Sequence, residues 1–158
     1  MRFDMKKAMI TLLIVLVLAL ALPVMNAHAL KHINTGDHEV TINGDPHEEK
    51  VYVNGGLAHD NADGDRALNI KAQFETDGGN TLVFFLEALS GGTACPATYR
   101  FIFAESDGQI SISDSFGTCS DLPELRVSPE SVSVVFPNMN GSGTTSYQIR
   151  GENVVEAK

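Results

Sequence analysis

The chain has 158 residues, a fifth of them charged, with two Cys, no Trp and a formal net charge of −9. That length suits one domain and excludes a multidomain enzyme. The acidic balance excludes a protein that tracks nucleic acid, because nothing in it would neutralise a run of phosphates.

The first element in chain order is an export signal. Met1-Arg-Phe-Asp-Met-Lys-Lys7 is short and basic, and Ala8–Leu22 is apolar but for Thr11. Pro23 ends the run, and Ala27-His28-Ala29 supplies a small-x-small pattern. Those parts in that order predict a secretory signal peptide over residues 1–29, cleaved after Ala29. The apolar run is shorter than the ~20 residues of a membrane span. Residues 30–158 are then read as a single domain of 129 residues with 8 basic and 19 acidic side chains, net −11. Without the leader the apolar share drops from 43% to about 36%, a thin supply for a core. No later stretch reaches spanning length, so the mature chain is expected to be periplasmic or secreted, with no membrane span.

From Glu39 onward the hydrophobic pattern has period two, the signature of strands. Glu39–Ile42 and Lys50–Val53 pair around Asn43-Gly-Asp-Pro46. Next comes His59-Asp-Asn-Ala-Asp-Gly-Asp65, whose alternating oxygen ligands and Gly resemble a calcium loop. Aligning Gly64 with that loop's turn glycine puts His59 at the first ligand position and Ile70 where a bidentate Glu belongs, which rejects an EF-hand. A looser calcium site on Asp60, Asp63 and Asp65 is the remaining metal candidate, against an exposed acidic turn. His32, His38, His47 and His59 lack zinc spacing.

The stretch Ala67–Glu75 alternates cleanly. It predicts a strand with Leu68, Ile70, Ala72 and Phe74 on one face and Asn69, Lys71, Gln73 and Glu75 on a wet face. Thr81–Leu89 is almost wholly apolar, as in a central strand covered on both sides. Further strands are predicted at intervals of about ten residues: Tyr99–Phe103, Gln109–Ser113, Leu125–Val127, Ser131–Phe136, Ser146–Arg150 and Asn153–Glu156. Turn chemistry separates them, and no segment sustains helical spacing. The reading is an all-β antiparallel meander of about nine or ten short strands, forming a β-sandwich or a partly closed barrel. Val51-Tyr-Val-Asn-Gly55 and Tyr147-Gln-Ile-Arg-Gly151 recur in a propeller-like way, but two copies establish no period.

Two Cys in an exported chain predict one disulfide. Ser106-Asp-Gly108 is a hairpin turn between two β-rich runs. A hairpin folded about Asp107 pairs residues twelve either side of it, which are Cys95 and Cys119. The two sulfurs are therefore expected at the open end of that hairpin. Glycines at 91, 92 and 117 could bulge the register, so the argument is one of proximity.

Ser90-Gly-Gly-Thr-Ala-Cys-Pro-Ala97, Tyr99-Arg-Phe101 and Phe116-Gly-Thr-Cys-Ser-Asp-Leu122 together resemble a group of uncharacterised small exported bacterial proteins that pair Gly-Gly-x-x-Cys-Pro with Phe-Gly-Thr-Cys-Ser-Asp. The likeness spans Asn80 to about Pro137. It implies an envelope or secreted β-domain with a Cys95–Cys119 bond and carries over no catalytic residue.

Catalytic chemistry has little footing in the residues. Ser111, Ser113, Ser115 and Ser120 stand outside any Gly-x-Ser-x-Gly element. The leading expectation is a non-enzymatic β-domain that binds a protein or small ligand in the cell envelope. Its recognition surface would be the two loops that the disulfide pins, with Thr93, Pro96, Phe116, Thr118, Ser120 and Asp121 as candidate contacts. A metal- or carboxylate-dependent hydrolase and a structural envelope or matrix component are the alternatives. At net −11 the domain favours cationic partners or divalent ions over anionic surfaces.

Overall fold

The computed structural model describes residues 31–157, so the predicted leader lies outside it. Among the described residues there are twelve strands and no α-helix. The strands are β1 (His32–Asn34), β2 (Glu39–Asn43), β3 (Lys50–Val53), β4 (Gly56–Asp60), β5 (Ala67–Thr76) and β6 (Thr81–Leu89). They continue with β7 (Ala97–Glu105), β8 (Ile110–Ile112), β9 (Glu124–Ser128), β10 (Ser131–Pro137), β11 (Thr144–Arg150) and β12 (Asn153–Ala157). Within each sheet every strand pairs antiparallel with the next in the chain. The result is three four-stranded meanders, β1-β2-β3-β4, β5-β6-β7-β8 and β9-β10-β11-β12, all open at their edges.

The all-β reading holds, with two strands more than the pattern announced. β1 has only three residues. β4 is Gly-Leu-Ala-His-Asp, which does not alternate, and its pairing with β3 slips by one residue between Val51 and Tyr52. Its last two residues fall inside the acidic stretch that reads as a turn.

The three sheets stack as layers around two apolar cores. Ile33, Val40, Ile42, Val51 and Val53 of the first sheet pack against Leu68, Ile70, Phe84, Leu86 and Ile102 of the second. The opposite face of the second sheet, with Val83, Phe85, Tyr99, Phe101 and Phe103, packs against Val134 and Phe136 of the third. This is why β6 is apolar at consecutive positions: Phe84 and Leu86 fill one core, Val83 and Phe85 the other. The recurrent segments Val51–Gly55 and Tyr147–Gly151 occupy equivalent places, the hairpins joining the third and fourth strands of the two outer sheets. The repeat therefore belongs to layers of a stack.

The expected facing of β5 is corrected. Its register with β6 shifts between Ile70 and Ala72, so Lys71 is the extra residue of a β-bulge. A one-residue insertion moves every later side chain to the other face. Leu68 and Ile70 accordingly lie in the core with the first sheet, and Ala72 and Phe74 pack into the core with the third. Asn69, placed by alternation on a wet face, is buried.

Connectivity gives the stack two distinct ends. The turns after β1, β3, β5 and β7 gather at one, here called the turn end, with the β9–β10 and β11–β12 turns beside them. The β6–β7 connection and the links between sheets gather at the other, where the disulfide lies. There Lys31 and Glu49 of the first sheet pair at 2.7 Å. They also occupy the free edge of β5: the Leu68 N–H donates to Glu49, and the Leu68 carbonyl accepts from Lys31. Two side chains thus take the place of a neighbouring strand at an otherwise open edge.

Candidate functional site

The β7–β8 ladder pairs Ile102 with Ile112, Phe103 with Ser111 and Ala104 with Ile110, which is the register of a hairpin centred on Asp107. Beyond Ser113 the register slips once, so that Tyr99 bridges Phe116. The slip is absorbed at Ser113, whose hydroxyl, in place of its carbonyl, accepts the Phe101 N–H at 2.9 Å. Cys95 and Cys119 then meet, with Cα atoms 4.5 Å apart, and are disulfide-bonded. Cys119 takes up a left-handed backbone (φ 65°), uncommon for a residue with a Cβ.

The bond joins the two predicted loops, but their side chains serve different ends. Phe116 is half-buried in an aromatic cluster, with ring centres 5.3 Å from both Phe101 and Tyr147. Thr118 donates its hydroxyl to the Pro137 carbonyl at 2.8 Å, and Tyr147 donates to the Gly117 carbonyl at 3.2 Å, so this loop is tied to the third sheet. Ser120 is buried, and its hydroxyl accepts the Leu122 N–H at 3.2 Å. Thr93 and Asp121 are exposed and Pro96 is half-buried. Leu122, next to Asp121, is 69% exposed, and Met139 of the β10–β11 turn at the same end is 52% exposed. An exposed Leu and Met beside rigid loops form the outward surface.

Beneath these loops runs a buried polar row that pattern reading missed. Asn69, Glu87 and Tyr99 are successive cross-strand partners on β5, β6 and β7. Glu87 is 4% exposed; its carboxylate accepts from Asn69 at 3.1 Å and from the Tyr99 hydroxyl at 3.3 Å, and pairs with Lys71 at 3.3 Å. The Tyr99 hydroxyl also lies 3.1 Å from the Ser120 carbonyl. Burial, and then the charge of Glu87, hold the Tyr99 hydroxyl well above the ordinary tyrosine range. The sequence did contain a signal for this row. Glu87 is the one charge in an otherwise apolar, doubly covered strand, and such a charge must find partners. The bulge supplies one, because it brings Lys71 within reach.

Two of the three acidic candidates pair with cations of the protein itself. Asp60 lies in β4 and pairs with Lys50 at 3.0 Å. Asp63 approaches Arg100 at 3.6 Å. Asp65 is fixed through its backbone to buried Asn61, at 3.0 and 2.8 Å. Partial burial, then Asp63, raise the Asp65 carboxyl; burial, then Arg100, lower His59. Among the described residues no group of three His, Cys, Asp or Glu side chains is gathered to hold a metal.

At the turn end two clefts flank the β5–β6 turn. A larger one of about 790 Å³ lies between the first and second sheets and is lined by Asp37, His38, Asn54, Gln73, Glu75 and Ser106 among others. A smaller one of about 470 Å³ separates the same turn from Ser128–Val132 of the third sheet. Alternation alone does not reveal either, since the larger depends on the bulge to set Gln73 and Glu75 toward the first sheet. Comparison of the chain with protein-family models, with curated proteins and with solved structures gives no match.

Proposed function

We propose that the protein is an exported, non-enzymatic binding domain that recognises a protein or small ligand in the periplasm or outside the cell. The observation that carries this reading is the division of labour around Cys95–Cys119. Phe116, Thr118 and Ser120 face inward and hold the loops, leaving Thr93, Asp121 and Leu122 on an outward surface that the disulfide makes rigid. A pre-ordered surface with an exposed apolar anchor loses little conformational entropy on binding, which is what a recognition platform needs. The anchor favours a protein partner over a small ligand.

Export is supported by the leader pattern of residues 1–29 with its cut after Ala29, and by a disulfide of the kind that persists in oxidising compartments. The two cysteine motifs, alike to those of small exported bacterial proteins, support the same placement. Among the described residues no helix is long and apolar enough to cross a membrane.

The test is capture from envelope and culture-medium fractions on immobilised protein, wild type against a Leu122→Asp, Thr93→Ala variant. The expected result is a partner that binds the wild type saturably and is lost by the variant, while both melt alike and both stay disulfide-bonded in non-reducing mass spectrometry. Equal capture by the two proteins would remove the loops from recognition. N-terminal sequencing of the exported protein should begin at Leu30.

A further inference from the structure

Six strands sit at the edges of the three sheets. β1 and β8 have three residues each and β4, β9 and β12 five, whereas β5 has ten. A long free edge is a template for another strand, so β5 is the edge this fold most needs to close.

In an antiparallel strand the N–H and C=O of one residue point to the same side, and the side alternates along the chain. Leu68 sends both groups away from β6, where the Glu49 carboxylate and the Lys31 ammonium meet them. Those two side chains are themselves paired at 2.7 Å, and Glu49 is buried. Ile70 points outward in its turn and is buried in the core shared with the first sheet. The extra residue at Lys71 then shifts the alternation, so that the next outward groups belong to Gln73 and Glu75. Both residues are exposed and line the cleft at the turn end, and among the described residues no other backbone pairs with them on that side. The edge is clasped at one end and open at the other.

The outward residues are thus Leu68, Ile70, Gln73 and Glu75, with a longer step in the middle. A regular strand offers outward groups at every second residue and matches only one half of this edge. A second copy of β5 carries the same longer step. Laid antiparallel about a point between Lys71 and Ala72, Leu68 of one copy faces Glu75 of the other, and Ile70 faces Gln73. All four outward residues of each strand then find partners. The bulge, a common protection of an edge against other strands, leaves this one pairing intact. The clasp obstructs it, because both backbone groups of Leu68 are already taken.

We propose that β5 is a self-complementary edge, and that the Lys31–Glu49 pair is the clasp that keeps it from pairing with β5 of a second copy. With the clasp withdrawn, the central sheets of two copies join edge to edge into one continuous sheet. This edge is separate from the disulfide loops, and its role stands or falls independently of theirs.

The test is sedimentation velocity with amide hydrogen exchange on the wild type and on Lys31→Ala, Glu49→Ala. The wild type is expected at the monomer mass throughout. The double variant is expected at twice that mass at millimolar concentration, with the Leu68, Gln73 and Glu75 amides gaining protection as it associates. Adding Gln73→Pro, which removes an outward N–H and leaves the ladder to β6 in place, should return the double variant to the monomer. Lys50→Ala, Asp60→Ala removes an ion pair from the β4 edge and should stay monomeric. Lys31→Ala alone frees the Leu68 carbonyl, and it decides the matter if the double variant does not fold. A folded clasp variant that stays monomeric, a dimer that Gln73→Pro does not dissolve, or protection gained at other edges would overturn the proposal. So would association of the wild type, or equal association of the Lys50→Ala, Asp60→Ala variant.

Discussion

Ile70 and Ala72 are next-but-one neighbours in β5 and lie on opposite faces of the central sheet, Ile70 against the first sheet and Ala72 against the third. In an unbroken strand they would share a face. The bulge between them therefore divides one strand between two cores, and it also turns Gln73 and Glu75 into the cleft at the turn end.

Deleting Lys71 should undo that division. Ala72 and Phe74 would turn toward the first sheet, and Gln73 and Glu75 toward the aromatic core. Phe74 would lose its edge-on contact with Phe101, whose ring centre lies 6.0 Å away. A loss of about 3 kcal/mol or more is expected, in the range of removing a large core side chain. Urea denaturation of the deletion variant measures it; a loss under about 1 kcal/mol would mean the strand re-registers freely.

Tyr99 ties the buried Glu87 to the base of the Ser120 loop, and its ionisation gives stability a pH dependence. The folded hydroxyl keeps its proton above the pH near 10.0 at which an unfolded tyrosine loses one. Above that point the unfolded state binds fewer protons than the folded state, so stability falls as pH rises. Tyr99→Phe should lower stability at pH 7 by about 1–2 kcal/mol, since two acceptors lose their donor. The same variant should fall less steeply between pH 10 and 12. Tyr147, also raised by burial, leaves a residual slope. Parallel wild-type and variant limbs in that range would assign the alkaline loss to other groups.

The Cys95–Cys119 bond closes a separation of 24 residues. In the chain-entropy view such a loop stabilises by about 3 kcal/mol. Cys95→Ser, Cys119→Ser should lose about that much, and hydrogen exchange should rise first over 116–121, where the loop is tied to both the second and third sheets. Uniform exchange across all three sheets would show that the bond stabilises the stack as a whole without locally ordering this loop.

Much of this was open to inspection in the chain. The hairpin about Asp107 was legible because turn chemistry is local: Asp107 and Gly108 set the turn, and the register follows from its position. From that register the proximity of Cys95 and Cys119 followed by counting, and the single slip beyond Ser113 left them close enough to bond. The double covering of Thr81–Leu89 was legible too, since a strand apolar at consecutive positions has to be buried on both sides. β1 and β4 were not, because one is too short to show a period and the other has none.

The sequence by itself determined the all-β class, the meander, the disulfide and the central strand, since each rests on local chemistry or on a period that a few residues suffice to state. Only the tertiary structure decided the three-layer stack, the facing of β5 and the cleft. Asn69-Ile70-Lys71-Ala72-Gln73 alternates without a fault, so nothing in it announces a bulge. The insertion is favoured because it lets Ala72 and Phe74 join the aromatic core of the third sheet and brings Lys71 to Glu87, and those gains exist only once all three sheets are in place. The disulfide loops follow the same rule: their residues were nameable in advance, but which of them face inward was settled by what the third sheet offers to Phe116 and Thr118.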